Sequence, residues 1–178
     1  MSGVLHASVM ERLAHMFDVP VIQNNLRGIY IELMVSELLG DTWHHAGMDW
    51  AAYDFEHEDG TRLEVKQSAA RQTWSISSEP SKRHSFNIRT AKMEWVGKVS
   101  LALTERPAQI YVFAWHGDCT TKADHRDAGQ WEFFVVPTSI LPLQNSISLS
   151  AIKKLADPVR FDLLGQTVAK MLRKGPIQ

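Results

Sequence analysis

Between Trp50 and Lys66 the chain reads Trp-Ala-Ala-Tyr-Asp-Phe-Glu-His-Glu-Asp-Gly-Thr-Arg-Leu-Glu-Val-Lys, two alternating runs joined by Glu58-Asp59-Gly60. Three residues of that kind close a β-hairpin as a type I turn followed by a left-handed glycine. Loop length then dictates which side chains can meet. With three residues, His57 faces Thr61 and Asp54 lies opposite Glu64, and residues directly opposite share a face. Arg62, Glu64 and Lys66 point together, while Leu63 and Val65 turn to the core. A two-residue loop would put Phe55 opposite Glu64 and Asp54 on the wrong face.

Two carboxylates and a lysine on adjacent strands are the minimum kit for holding a hard divalent cation beside a phosphate. Oxygen ligands suit Mg²⁺, and the lysine offers positive charge to a water or a phosphoryl oxygen. The chemistry expected is metal-dependent phosphodiester hydrolysis. The plain alternative is a half-exposed hairpin whose Asp54 and Lys66 form a surface ion pair.

The preceding segment tips the balance. Asn24 to Gly40 reads as a helix, with Asn24 or Asn25 capping its start and Gly40 suited to the turn past its end. Most of it is apolar, so much of its circumference packs. Glu32 sits within that surface, and a carboxylate there is costly unless it is paired or binds a cation. It is either a salt-bridge partner of Arg27 or another cation, or a third acid leaning over the hairpin.

The order Gly28, Glu32, Asp54, Glu64-Val65-Lys66, on a helix ending in Leu-Leu-Gly and then a hairpin, resembles the PD-(D/E)xK nuclease superfamily. It is similar to the restriction-endonuclease-like core and to archaeal Holliday-junction resolvases, closely over about residues 24 to 70 and more loosely to Pro137. The resemblance implies that Asp54 and Glu64 ligate Mg²⁺ (Mn²⁺ possible), with the Val65 carbonyl as a further ligand. Lys66 would orient or help deprotonate the attacking water, and Glu32 would hold a second cation or a metal-bound water. Cleavage would leave a 5′-phosphate and a 3′-hydroxyl. Tyr53 stands where the superfamily's name has proline. Asp49 competes as the first acid, but it would face away from Asp54 in an unbroken strand.

At 178 residues the chain is most simply one domain, with a core over about 24–137 and a helical cover over about 148–174. With 44% hydrophobic and 22% charged residues it is an ordinary globular composition, neither disordered nor membrane-spanning. A single cysteine, Cys119, rules out an internal disulfide framework, and no signal-peptide pattern opens the chain, so a cytoplasmic setting is expected. His116, Cys119 and His125 match no familiar zinc module and lack an evident fourth ligand. His44-His45 reads as a strand edge rather than a metal site.

Net charge is −1, which argues against a wholly basic DNA-binding surface. The distribution is uneven. Asp41 to Gly60 carries six acids and no Lys or Arg, whereas Thr61 to Arg106 carries nine bases against four acids. An acidic cluster suits cations and a basic neighbour suits phosphates. The loop bearing Arg71, Gln72, Trp74, Lys82, Arg83 and His84 is the candidate grip on DNA, with Trp74 placed to stack on a base. A solvated loop with incidental charge is its alternative.

The remaining pattern predicts a helix near Ser8 to Phe17, striped by Val9, Leu13 and Met16, and a strand around Thr42 to Ala46. Ser68 to Ser85 reads as loop, and Phe86 to Ile88 as a short strand. A crossover helix is expected within Thr90 to Thr104, then strands at Ile110–Trp115 and Trp131–Val136. A short helix capped by Ser150 and a final helix over Asp162 to Arg173 complete the chain. The expectation is an α/β fold: a mixed central β-sheet flanked by helices, a restriction-endonuclease-like core with extra N- and C-terminal helices. Its expected activity is that of a Mg²⁺-dependent DNA endonuclease. A structure-selective resolvase would need a homodimer to make paired cuts. A noncatalytic nucleic-acid-binding module would keep the fold alone.

Overall fold

The computed structural model describes residues 2–46, 51–75, 84–90, 93–96 and 99–173. Two helices, α1 (Ser2–Phe17) and α2 (Asn24–Leu39), lead into strands β1 (Trp43–His45), β2 (Phe55–His57), β3 (Arg62–Ala69), β4 (Ser85–Asn87), β5 (Met93–Val96), β6 (Val99–Ala102), β7 (Ile110–His116), β8 (Trp131–Pro137) and β9 (Ser146–Ser148). Helices α3 (Leu149–Leu155) and α4 (Phe161–Arg173) follow. The central sheet is mixed, in the order β1-β2-β3-β7-β8, with β3 and β7 parallel and the other neighbours antiparallel. The fold is α/β, a mixed sheet flanked by helices.

Alternation along the strands divides the core between two faces. On one, Ile31 and Val35 of α2 and Leu164 and Val168 of α4 pack on Leu63, Val65, Val112, Phe133 and Val135. On the other, Ile152 of α3, Phe86 of β4 and Ile147 of β9 pack on Tyr111, Phe113, Phe134 and Val136. Strand β7 is buried at every residue, as its unbroken apolar run requires. Leu63 and Val65 belong to the first face, so Glu64 and Lys66 project to the second, in register with Tyr111 and Phe113.

Several elements differ from the sequence expectation. The region 90–104 contains an antiparallel pair, Met93↔Ala102 through Val96↔Val99, where a crossover helix was expected. The runs Met93–Val96 and Val99–Ala102 are each short and β-prone, which suits paired strands as well as a helix. Strand β3 runs on through Ser68 and Ala69, because β7 pairs with it as far as His116. The cap of α3 is Ser148, whose hydroxyl accepts the Ala151 N–H, two residues before the expected Ser150. At α2 the residue before the helix is Gln23 with no side-chain cap, since the Asn24 side chain serves Arg27 instead. Gly40 ends that helix at φ +80°. Helix α1 starts earlier than expected, and its stripe of Val9, Leu13 and Met16 remains exposed. Among the described residues, no helix is long and apolar enough to cross a membrane.

Candidate functional site

The hairpin closes through the expected three residues. The His57 N–H donates to the Thr61 carbonyl at 2.8 Å, the Gly60 N–H to the His57 carbonyl at 2.8 Å, and Gly60 takes φ +85°. That loop sets Phe55 opposite Leu63 and Glu56 opposite Arg62, which brings Asp54 level with Glu64. Asp54 itself lies just outside β2. Its N–H donates to the Leu63 carbonyl at 3.0 Å and its carbonyl accepts the Ala46 N–H at 2.8 Å. Its Oδ2 accepts the Val65 N–H at 2.7 Å, so a side chain takes over where the strand partner stops. Backbone groups alternate along a strand, which turns the Val65 carbonyl to the same side. Asp49, Lys82 and Arg83 lie outside the described residues.

Beyond Leu63, β3 has no strand beside it on the β2 side among the described residues. The acids gather at this break. Glu64 is buried and paired with the Lys66 ammonium. Burial, then the charge of Asp54, pushes the Glu64 carboxyl up to about 7 despite Lys66. Glu32 reaches the same group from α2, and burial followed by Asp54 likewise carries it to about 7. Burial also raises Asp54, against the pull of the Val65 N–H, Lys66 and His45. Burial disfavours the Lys66 ammonium, yet Glu64, Asp54 and Glu32 together hold its pKa above that of an ordinary lysine.

Two further residues complete the cluster, and sequence reasoning missed both roles. His45 sits on the edge strand β1, as expected, but its Nε2 lies 3.5 Å from Glu32 Oε2. Tyr111 stands in register with Glu64, and its phenol is pushed up by burial and then by the Glu64 charge. Neither was legible locally, because each depends on which strands become neighbours. Arg27 is not the partner of Glu32: it is buried and bonded to Gln67, Gln72, Asn24 and the Ile22 carbonyl, and the neighbour able to pair with Glu32 is His45. Tyr53 donates its hydroxyl to Glu56 and lies under Arg62.

Carboxylate oxygens are the donor type that a hard divalent ion takes. Three carboxylates face one ammonium, and two of them are held near neutrality by burial and by one another. A cation relieves that repulsion where a neutral hydrogen-bond donor cannot. Among the described residues no three His, Cys, Asp or Glu side chains close into a finished cage.

Of the residues expected to grip DNA, the structure describes Arg71, Gln72, Trp74 and His84. Arg71 donates to the Cys119 and Thr120 carbonyls, and Gln72 is bonded to Arg27 and the Ala69 carbonyl. Trp74 is 67% exposed, and His84 leans on Trp115 at 4.2 Å between ring centroids. His116 and His125 lie 4.9 Å apart between ring centroids, fully buried. His125 Nδ1 accepts the Ile22 N–H and His116 Nε2 faces Gln130 and the Asp124 carbonyl, so both rings serve packing of the chain.

No protein-family model and no curated protein matches the chain. Among solved structures it is similar to a bacterial homing endonuclease, I-Ssp6803I, at 15% identity and TM-score 0.43, over 87% of this chain and 97% of that one. A likeness that slight carries no functional weight, and the chemistry of the acids must speak for itself.

Proposed function

We propose that this protein is a Mg²⁺-dependent endonuclease that hydrolyses phosphodiester bonds of DNA. The observation that carries the reading is the meeting of Asp54, Glu64 and Lys66 where β2 leaves β3, with Asp54 bonded to the Val65 N–H and Lys66 paired to Glu64. Asp54, Glu64 and the Val65 carbonyl would hold the ion, and Glu32 would complete its surroundings. Bound Mg²⁺ supplies Lewis acidity and a more acidic water.

The chain's own groups do the rest. Lys66 stays protonated at neutral pH, which suits it to orient a water and to stabilise charge building on the phosphoryl oxygens. Exposed Trp74 offers a ring to an unpaired base.

Supercoiled, linear and single-stranded DNA incubated with Mg²⁺ or Mn²⁺ test the reading, with Lys66→Ala and Asp54→Asn as controls. Digestion by the native protein and neither variant is the expected result. Equal digestion by all three would betray a contaminant and sink the assignment.

A further inference from the structure

We propose that α1 is the surface through which two copies of this chain associate, by antiparallel pairing of the two helices about a two-fold axis at Val9. The inference stands apart from the nuclease reading and holds whether or not the acid cluster cleaves DNA.

The first argument is missing support. A helix of 16 residues is marginal in water and is held in proteins by the packing of an apolar face. Yet Leu5, Val9, Leu13 and Met16, at helical spacing on one side of α1, are 43–68% exposed. Val4 and Val9 are β-branched, so the sequence adds little helical preference to compensate. The helix is anchored at its C-terminal end, where Phe17 stacks on Tyr30 with ring centroids 6.4 Å apart. Asp18, just beyond it, pairs with Arg126 at 2.6 Å.

The second is area. With Val4 and Met10 on α1, and Ile29 and Leu33 one turn apart on the neighbouring α2, eight large apolar side chains are 42–78% exposed. Together they offer on the order of 700 Å², close to the ~800 Å² per partner that a standard interface buries. A monomer seldom leaves that much apolar surface open to water.

The third is self-complementarity. Leu5 and Leu13 stand four residues to either side of Val9. A two-fold axis there sets Val9 against its own copy and Leu5 against Leu13 of the partner subunit. The stripe itself holds no charged residue, which suits the centre of a protein interface and gives a phosphate nothing to grip. Arg12 borders it, and Glu11 lies on the opposite side of the helix.

Sedimentation velocity of the full chain across micromolar concentrations tests the proposal. The native protein should run at twice the 20.2 kDa of one chain. Val9→Glu and Leu13→Glu should each shift it to 20.2 kDa while circular dichroism keeps its helical signal. Glu11→Gln, away from the stripe, should leave the dimer intact. Val9→Cys in a Cys119→Ser chain should join two copies by a disulfide under mild oxidation, because a residue on the axis meets its own copy. That crosslink decides the matter if either Glu variant loses helix. A native protein that sediments as one chain at every concentration overturns the proposal, whatever other protein it captures. A dimer that survives both Glu variants, or that forms no such disulfide, overturns it too.

Discussion

Asp54 Oδ2 accepts the backbone N–H of Val65 at 2.7 Å, a side chain filling the ladder position that β2 gives up. One carboxylate thus ends the strand pairing and faces the acid cluster. Asparagine can keep the acceptor while losing the charge. Asp54→Asn is therefore expected to fold normally but to lose stabilisation by metal. The native melting temperature should rise roughly 5–10 °C when free Mg²⁺ exceeds its Kd a hundredfold. Calorimetric scans of both proteins across millimolar Mg²⁺ check it; an identical rise in the variant counts against Asp54 as a ligand.

Glu64 gives a pH prediction with a definite sign. Its folded pKa, about 7, lies above the unfolded value, so its contribution is intact below about pH 4.5 and fades as pH rises through 7. The metal-free protein should lose stability between pH 5 and 8 on this account. Glu64→Gln should be more stable than the native chain at pH 8, by about 1–3 kcal/mol. Urea unfolding at the two pH values measures the difference.

His125 sets the opposite trend at the acid end. Burial, then the Arg27 charge, holds the ring neutral with a pKa of about 3. A lowered histidine contributes stability that is present above its unfolded pKa and lost as pH falls below it. At pH 5 the loss is on the order of 2 kcal/mol. Proton NMR of the ring should show no titration above pH 4, and a midpoint near 6.5 would refute the buried neutral state.

Gly165 marks the closest approach of α4 to α2. A Cβ at that position would fall 2.1 Å from the Leu38 carbonyl oxygen, a backbone atom that cannot swing aside. Gly165→Ala should destabilise by about 1–3 kcal/mol through forced separation of the helices. Thermal melts register this directly, and a neutral outcome would mean the helix pair shifts freely.

What was legible in the sequence was local. Gly60 and the two alternating runs predicted the hairpin register, since loop length alone decides it. The bounds of α2 and α4 followed from Gly40 and from the Leu164–Val168 spacing. The β5–β6 pair was hidden because Met93-Glu94-Trp95-Val96 also fits a helical reading over so few residues. The apolar stripe of α1 suggested packing that the fold does not provide. His45 and Tyr111 could not be placed beside the acids, because their positions depend on β1 pairing with β2 and on β7 lying parallel to β3.

That parallel pairing has a kinetic consequence. The β2–β3 and β7–β8 hairpin-like pairs join nearby stretches, whereas β3 meets β7 only after a long intervening segment has been closed. Docking of the two halves is then expected to be the slow event in folding, as stopped-flow refolding would show. It is also the moment at which Glu64, the one acid of β3, is carried out of water, so refolding should quicken as the buffer is taken down to about pH 4.5, where the unfolded carboxyl begins to arrive protonated.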